Sequence, residues 1–238
     1  MPPPNSKPAP SCTECQSRSM GVLCNLDHEA LEKLNSHKTS NRYLKGQIIF
    51  YEGNQAFGLY GVYSGRVKLY KTGIDGRRQI VRICGPGDIL GYRSLFAEEP
   101  YHATAEALEE STICCVDRAA FFSVIGENPR FAFDLLRKLS VELRSAEDLA
   151  TSIAQRPVRQ RMAELLVMLQ QTYGKPAKKG VQIHLELSRE EMAEMIGVTQ
   201  ETAIRLLSEF KKGGWISVQE RCITILNPES LLEAAEIE

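Results

Sequence analysis

Hydrophobic positions change their period along this chain, and each change predicts a different kind of element. Residues 28–35 carry a short helical spacing. From 43 to 117 apolar and polar residues alternate in brief runs, at 47–51, 58–63, 67–71, 79–84, 104–108 and 111–116. A period of two describes half-buried strands. The runs are separated by Glu52-Gly53, Ser64-Gly65, Asp75-Gly76 and Gly85-Pro86-Gly87-Asp88. Ser-Gly and Asp-Gly between strands are hairpin signals, because such turns need a backbone that glycine adopts easily. Many short, evenly spaced strands predict a small antiparallel barrel or jelly roll.

Helical spacing returns at 129 and holds to about 155. Ala132, Leu136, Leu139, Leu143, Ala146, Ala150 and Ile153 step by alternating fours and threes. That is a seven-residue repeat with a narrow apolar seam, the pattern of a two-stranded coiled coil. A helix packed only on its own domain wants a broader stripe. Leu135 and Leu149 lie beside the seam and are expected to face the barrel. Ala146 and Ala150, flanked by Glu142, Glu147 and Asp148, make the seam weak. Pro157 ends or bends the helix.

Beyond it, 158–173 is an amphipathic helix with Met162, Leu165, Leu166 and Leu169. Residues 174–180 read as a turn-rich basic loop with Lys175, Lys178 and Lys179, and 181–187 as a strand. Residues 187–210 read as two short helices joined by a tight turn. Ser188 and Glu191 form a capping box, which satisfies free amide donors at a helix start. Gly197 suits the left-handed end of that helix, and Thr199 can cap the next. Ala203, Leu206, Leu207 and Phe210 bury one face of the second helix and leave Gln200, Glu201, Ile204 and Arg205 outside. Polar side chains on the first turns of such a helix suit base edges in a major groove. A plain helical hairpin with a solvated charged face carries the same pattern. Gly213-Gly214 ends the second helix, and 215–218 with 222–226 form a hairpin. Helix, helix-turn-helix and hairpin in this order make a winged helix.

Composition changes little. The 238 residues allow one or two domains with a sizeable core, and the net charge is −1. Residues 156–238 hold 11 Lys+Arg against 12 Asp+Glu, again −1, so DNA binding must come from placed charge rather than bulk charge. No apolar run approaches a membrane span and no hydrophobic segment follows the first methionine, which leads to a cytoplasmic expectation. No Ser/His/Asp or Cys/His set, P-loop or pocketed carboxylate pair marks an enzyme.

Cysteine changes more. There are seven, and an odd number without a secretion signal favours metal or redox chemistry, or burial, over a disulfide framework. Residues 1–10 are proline-rich and expected to be disordered. Cys12 and Cys15 then stand two residues apart, the spacing with which two thiolates close on one metal or cluster, and Cys24 offers a third. The blander reading is a loop with incidental thiols, but 16–20 offer little surface to bury them.

Barrel, seam helix and winged helix in this order, with VTQETAIRLLSEFKKGGWISVQERCITI, resemble the CRP/FNR family of bacterial transcription regulators over residues from about 12 to 235. The resemblance implies an α+β chain: a cysteine-bearing segment (1–27), a cyclic-nucleotide-binding-like β-barrel (28–128), a dimerisation helix (129–155) and a winged-helix DNA-binding domain (156–238). It implies a homodimer joined through Leu136, Leu139, Leu143, Ala146, Ala150 and Ile153, reading double-stranded DNA with a two-fold-symmetric site. Glu201, Thr202 and Arg205 match the family's recognition signature. Family members often read a TGA core with the Glu–Arg pair, so Glu201 is expected to accept from a cytosine and Arg205 to grip a guanine. Thr199, Gln200, Lys211, Lys212 and Arg221 complete the expected DNA face. The 74–78 loop resembles a family contact with RNA polymerase, although a solvated hairpin tip fits it as well.

Three sensor branches compare by residue. The cyclic-nucleotide branch has a glutamate for the ribose and an Arg-Ser pair for the phosphate; Tyr92, His102 and Ala103 stand there instead, leaving the phosphate without a counter-charge. The CO-sensing haem branch begins Met-Pro-Pro, as this chain does, but its barrel histidine corresponds to about Arg93, which cannot ligate iron. The FNR branch shares an N-terminal cysteine cluster and one barrel cysteine, here within ALEESTICCVD. That resemblance implies a [4Fe–4S] cluster on Cys12, Cys15, Cys24 and Cys114; its destruction by oxygen or nitric oxide would loosen the dimer. Two departures stand out: the gap before Cys24 is long, and Cys115 adjoins Cys114. Zinc also accepts four thiolates, adjacent thiols suit a redox switch, and a small-ligand regulatory subunit without a DNA role is the competing class. Strand alternation sends Cys114 and Cys115 to opposite faces, so only one can look toward the N-terminal segment.

Overall fold

The computed structural model describes residues 10–236. The proline-rich start, expected to be disordered, lies outside the described residues except for Pro10. Contacts divide the chain into two units. The first takes the residues up to Gly73 and Ile80–Arg144; the second takes Ile74–Gln79 and the residues from Ser145 onward.

In the first unit two short 3-10 helices (Gln16–Met20 and Val22–Asn25) precede α1 (His28–Ser36). The strands follow: β1 (Lys38–Tyr43), β2 (Ile48–Phe50), β3 (Gly58–Ser64), β4 (Val67–Thr72), β5 (Arg78–Cys84) and β6 (Ile89–Leu90). Helix α2 (Tyr92–Ala97) interrupts them before β7 (Thr104–Ala107) and β8 (Ser111–Asp117), and α3 (Arg118–Glu127) leads into α4 (Pro129–Gln155), whose residues from Ser145 onward fall in the second unit. One sheet runs β1-β8-β3-β6 and the other β2-β7-β4-β5. The β1–β8, β8–β3, β3–β6, β2–β7 and β7–β4 pairs are antiparallel. This is the jelly roll that the alternation predicts.

Aromatic side chains fill the roll's interior. Phe50 stacks on Tyr101 with ring centroids 4.1 Å apart, and Tyr60 lies 5.1 Å from Phe50. The Tyr101 hydroxyl donates to the Gly58 carbonyl at 3.1 Å, so its polar tip is satisfied inside the core.

Three elements of this unit escape the period rule for physical reasons. β1, KTSNRY, is polar and half exposed; its pairing with β8 makes it a strand. β6 is two residues long. α3 is apolar on most sides and shows no single stripe; Asp117 caps it by accepting from the Ala120 amide at 2.8 Å.

The second unit contains α5 (Val158–Tyr173), β9 (Gly174–Pro176), β10 (Val181–Ile183), α6 (Arg189–Ile196), α7 (Gln200–Lys212), β11 (Ile216–Gln219), β12 (Cys222–Ile225) and α8 (Pro228–Ala235). Its sheet order is β11-β12-β10-β9. Two expectations need correction. The basic stretch at 174–180 is not all loop, because Gly174–Pro176 pairs with β10 and leaves a tight hairpin. The strand expected over 181–187 stops at Ile183, where its neighbours' pairing ends; Leu185 and Leu187 are still buried. α8 comes from a start signal the period does not show: Asn227 accepts from the Ser230 amide at 3.1 Å and Pro228 opens the helix. No helix among the described residues is long and apolar enough to cross a membrane.

Candidate functional site

The cysteines come first. The segment from Cys12 to Asn25 is folded as two turns against the outer face of the β1-β8-β3-β6 sheet. Ser17 is buried and donates its hydroxyl to the Tyr63 carbonyl at 2.5 Å. Gly21 lies so close to the Gly85–Asp88 turn that a Cβ there would stand 1.9 Å from the Gly87 carbonyl oxygen. Gly87 itself has φ +88° and is equally crowded, with a Cβ only 2.6 Å from the Ser17 carbonyl. Glycine is required at both positions, at one for the close approach and at the other for conformation as well.

This docking encloses a pocket of about 60 Å³ lined by Cys12, Cys15, Cys114, Arg18, Lys38 and the apolar side chains of α1 and β3. Three of the four expected ligands therefore meet around one space, although Cys114 is far from the other two in sequence. Cys24 is exposed on the second turn and does not line the pocket, while its neighbour Leu23 does. Among the described residues no three His, Cys, Asp or Glu side chains are set to hold a single metal ion.

The surroundings of the thiols are mixed. Burial pushes the Cys12 thiol up, while the Lys38 ammonium opposes it and Cys114, Cys15 and Glu32 add to the rise. Burial also raises Cys114; the Ser40 hydroxyl, 3.5 Å from its Sγ, and Lys38 work against that, and Cys15 adds to it. Arg18 contributes a buried Nε with no hydrogen-bond partner among the described residues. An unpaired buried donor is costly, and Arg18 is one of the residues that line the pocket. The donor set fits a thiolate-ligated, negatively charged group: sulfur ligands, with cationic donors to balance them. Neither Arg18 nor Lys38 was legible in the sequence; Arg18 lies unmarked between Cys15 and Cys24, and Lys38 opens a strand without a pattern.

Cys115 points the other way, as the alternation requires. It packs against the barrel core, and burial pushes its thiol up to about 11, with the Tyr60 hydroxyl opposing. It does not line the pocket. Of the positions compared with other sensors, Tyr92 is fully buried, and Glu142 and Arg82 are its polar neighbours. His102 is half exposed and pairs with Glu99 at 2.8 Å. Arg93 lies 3.8 Å from Glu142.

The second site is α6–α7. Both halves of the capping box form, with the Glu191 amide donating to Ser188 Oγ at 3.0 Å and the Ser188 amide to Glu191 Oε2 at 2.7 Å. Gly197 has φ +66°, ψ +48°, the left-handed stop between the helices. Arg161 donates to the Ile196 carbonyl at 2.6 Å, satisfying an orphan acceptor at that end. Thr199 caps α7 by accepting from the Thr202 amide at 3.3 Å. Ala203, Leu206, Leu207 and Phe210 are buried, whereas Gln200, Glu201, Ile204 and Arg205 are exposed on one face. Lys211 and Lys212 are exposed at its C-terminal end, and Arg221 is exposed at the tip between β11 and β12. Arg159 holds this end in place. It lies over the Trp215 and Phe210 rings at 4.9 and 5.6 Å and donates to Glu209 at 2.8 Å.

On α4, Leu136 and Leu143 are 57% and 61% exposed, and Ala146, Ala150 and Ile153 are exposed as well. Leu139 differs: it is partly buried and packs against the first unit's core, as Leu135 does. Phe133, absent from the expected seam, is 67% exposed.

Comparison with known proteins adds the lineage. A model of the cyclic nucleotide-binding domain matches residues 40–128, and a model of the Crp-like helix-turn-helix domain matches 160–234. The chain is 28% identical to the CRP-like cAMP-activated global transcriptional regulator of Mycobacterium tuberculosis, covering 90% of this chain and 96% of that protein. It is 27% identical to the fumarate and nitrate reduction regulatory protein of Escherichia coli, covering 93% and 90%. Among solved structures, FixK2 from Bradyrhizobium japonicum superposes with a TM-score of 0.74 at 28% identity, covering 83% of this chain and 96% of that one. Both domain models fall in the order that the fold shows, and relatives match along nearly the whole chain, so the chain belongs to the CRP/FNR family of DNA-binding transcription regulators.

Proposed function

We propose that the protein acts in the cytoplasm as a homodimeric regulator of the FNR-like kind, with a cysteine-bearing segment (1–27), a barrel (28–128), a dimerisation helix (129–155) and a DNA-binding domain (156–238). Cys12, Cys15, Cys24 and Cys114 would hold a [4Fe–4S] cluster, and the exposed α4 seam would join two copies on a two-fold-symmetric DNA site. The observation that carries this reading is the meeting of Cys12, Cys15 and Cys114 around one pocket that Arg18 and Lys38 also line. A bound cluster supplies a redox-sensitive link between the N-terminal segment and β8. Cys24 would join by a short movement of its turn, since Leu23 already lines the pocket.

The chain's own residues do the rest. Arg18 and Lys38 balance negative charge at the pocket. Leu136 and Leu143 offer apolar surface to a second copy. Glu201 and Arg205 face outward to read base edges, and Lys211, Lys212 and Arg221 meet phosphates and give the sequence-independent share of affinity. Cyclic AMP, which the mycobacterial relative's name invokes, is not favoured: Tyr92, His102 and Ala103 occupy the expected nucleotide contacts, and aromatic rings fill the roll.

Anaerobic binding to a duplex with two TGA half-sites tests this reading. Cys114→Ser is expected to lose affinity and Cys115→Ser to keep it, because only Cys114 lines the pocket. Equal behaviour of the two variants contradicts the ligand assignment.

A further inference from the structure

Asp134, Lys138 and Glu142 lie four residues apart along α4 and so form one ridge of the helix. Each is tied to a different part of the first unit. Asn25, at the end of the cysteine segment, donates to Asp134 Oδ2 at 3.1 Å. Lys138 donates to Asp88 Oδ1 at 2.9 Å. Glu142 pairs with Arg82 of β5. The first tie belongs to the cysteine segment itself. The second belongs to the turn against which Gly21 is pressed and the third to the barrel, and the two meet on the helix, where Lys138 Nζ also lies 3.4 Å from Glu142 Oε1.

The turn is held by the carboxylate that receives the lysine. Asp88 Oδ2 accepts from the Gly85 amide at 3.0 Å, while Oδ1 takes Lys138. Between Gly21 and Gly87 there is no room for a methyl group. A movement of the segment toward the turn must therefore displace Gly87–Asp88, and with it the Lys138 end of the pair. Close-packed interiors transmit displacement in this way because they cannot absorb it. The exposed Leu136 and Leu143 sit on the same stretch of helix, turned away from this ridge.

We propose that Asn25–Asp134 and Asp88–Lys138 are the positioning contacts through which the state of the cysteine segment sets the register of the α4 seam, while Arg82–Glu142 fastens the same ridge to the barrel. Asn25, Asp88 and Lys138 are thus positioning residues for dimerisation. This rests on the assignment of α4 as the dimer seam.

A double-mutant cycle on the full chain tests it, with the monomer–dimer constant measured by sedimentation equilibrium under anaerobic, reducing conditions. Gly21→Ala drives the segment and the turn apart without touching a thiol. It is expected to weaken the wild-type dimer by about tenfold, within the range of coupling between contacting residues. In an Asn25→Ala, Lys138→Met background the same substitution is expected to change the constant by less than about twofold. Ser17→Ala, which removes the bond to Tyr63, runs the same cycle with a milder displacement should Gly21→Ala fail to fold. Arg82→Met in place of the Asn25 and Lys138 substitutions serves as the contrast, and there the effect of Gly21→Ala is expected to remain. An equal effect of Gly21→Ala in both backgrounds means that the ties are static packing and overturns the inference, leaving the seam intact. A wild-type chain that stays monomeric at all concentrations overturns the seam assignment and this inference with it.

Discussion

Cys114 and Cys115 are adjacent in sequence and serve opposite sides of a sheet. One lines the pocket with Cys12 and Cys15; the other is pressed into the aromatic core. Alternation predicts that separation, but the identity of the pocket-facing residue rests on the register in which β8 pairs with β1 and β3. Cys84 is a third case, fully buried with Arg82 Nε 3.0 Å from its sulfur. Burial pushes its thiol up to about 11 from 9.0, with Arg82 opposing. A group whose pKa is raised on folding binds its proton more tightly in the native state. Its contribution is complete below pH 9 and is lost as the pH rises toward 11. Urea denaturation across that window is expected to show a steeper loss of stability in wild type than in Cys84→Ala; identical slopes would contradict the assignment. At the other site, Arg205→Ala is expected to cost about 1–3 kcal/mol per half-site on TGA duplexes and to leave thermal unfolding unchanged. The outward face of α7 was legible because a helix period separates the buried from the exposed. Arg18 and Lys38 were not legible, because their importance comes only from which segments the fold brings together.

The long helix and the helix-turn-helix are the elements the sequence shows best. Both obey one period over many residues and carry explicit start and stop signals: Ser188, Gly197 and Thr199 each do what their chemistry predicts. Ser188→Ala is expected to lower the stability of the second unit by about 1 kcal/mol through loss of the cap, measured by chemical denaturation. The exposed stripe of α4 was legible in part. A seven-residue repeat marks Leu136 and Leu143, but it cannot tell a partner-facing position from a barrel-facing one along its border. Leu139 thus turns to the core and Phe133 to the surface. Leu143→Asp, at an exposed position, is expected to abolish dimers in sedimentation experiments while leaving the monomer folded. Leu139→Asp is expected to destabilise the first unit instead. Short elements stay hidden: β1 and β6 have too few apolar residues to show a period, and their existence follows from pairing.

A whole chain of net charge −1 binds DNA only if its cations are placed. Lys211, Lys212 and Arg221 are exposed around the recognition helix and the adjoining hairpin, and Glu201 and Arg205 stand on its outward face. Lys211→Ala and Lys212→Ala are expected to weaken TGA and scrambled duplexes alike and to lower the logarithmic salt slope by about 1 each. A loss confined to TGA duplexes would mean that these lysines read bases. Family membership fixes the DNA-binding output, whereas the proposed input is the cysteine pocket. The direct measurement there is the visible absorption spectrum of the anaerobically purified chain, with iron, sulfide and zinc determined on the same sample. The proposed ligand set of Cys12, Cys15, Cys24 and Cys114 predicts charge-transfer absorption with about four iron and four sulfide per chain, bleached on exposure to air. A colourless protein with one zinc per chain, unchanged by air, would contradict it.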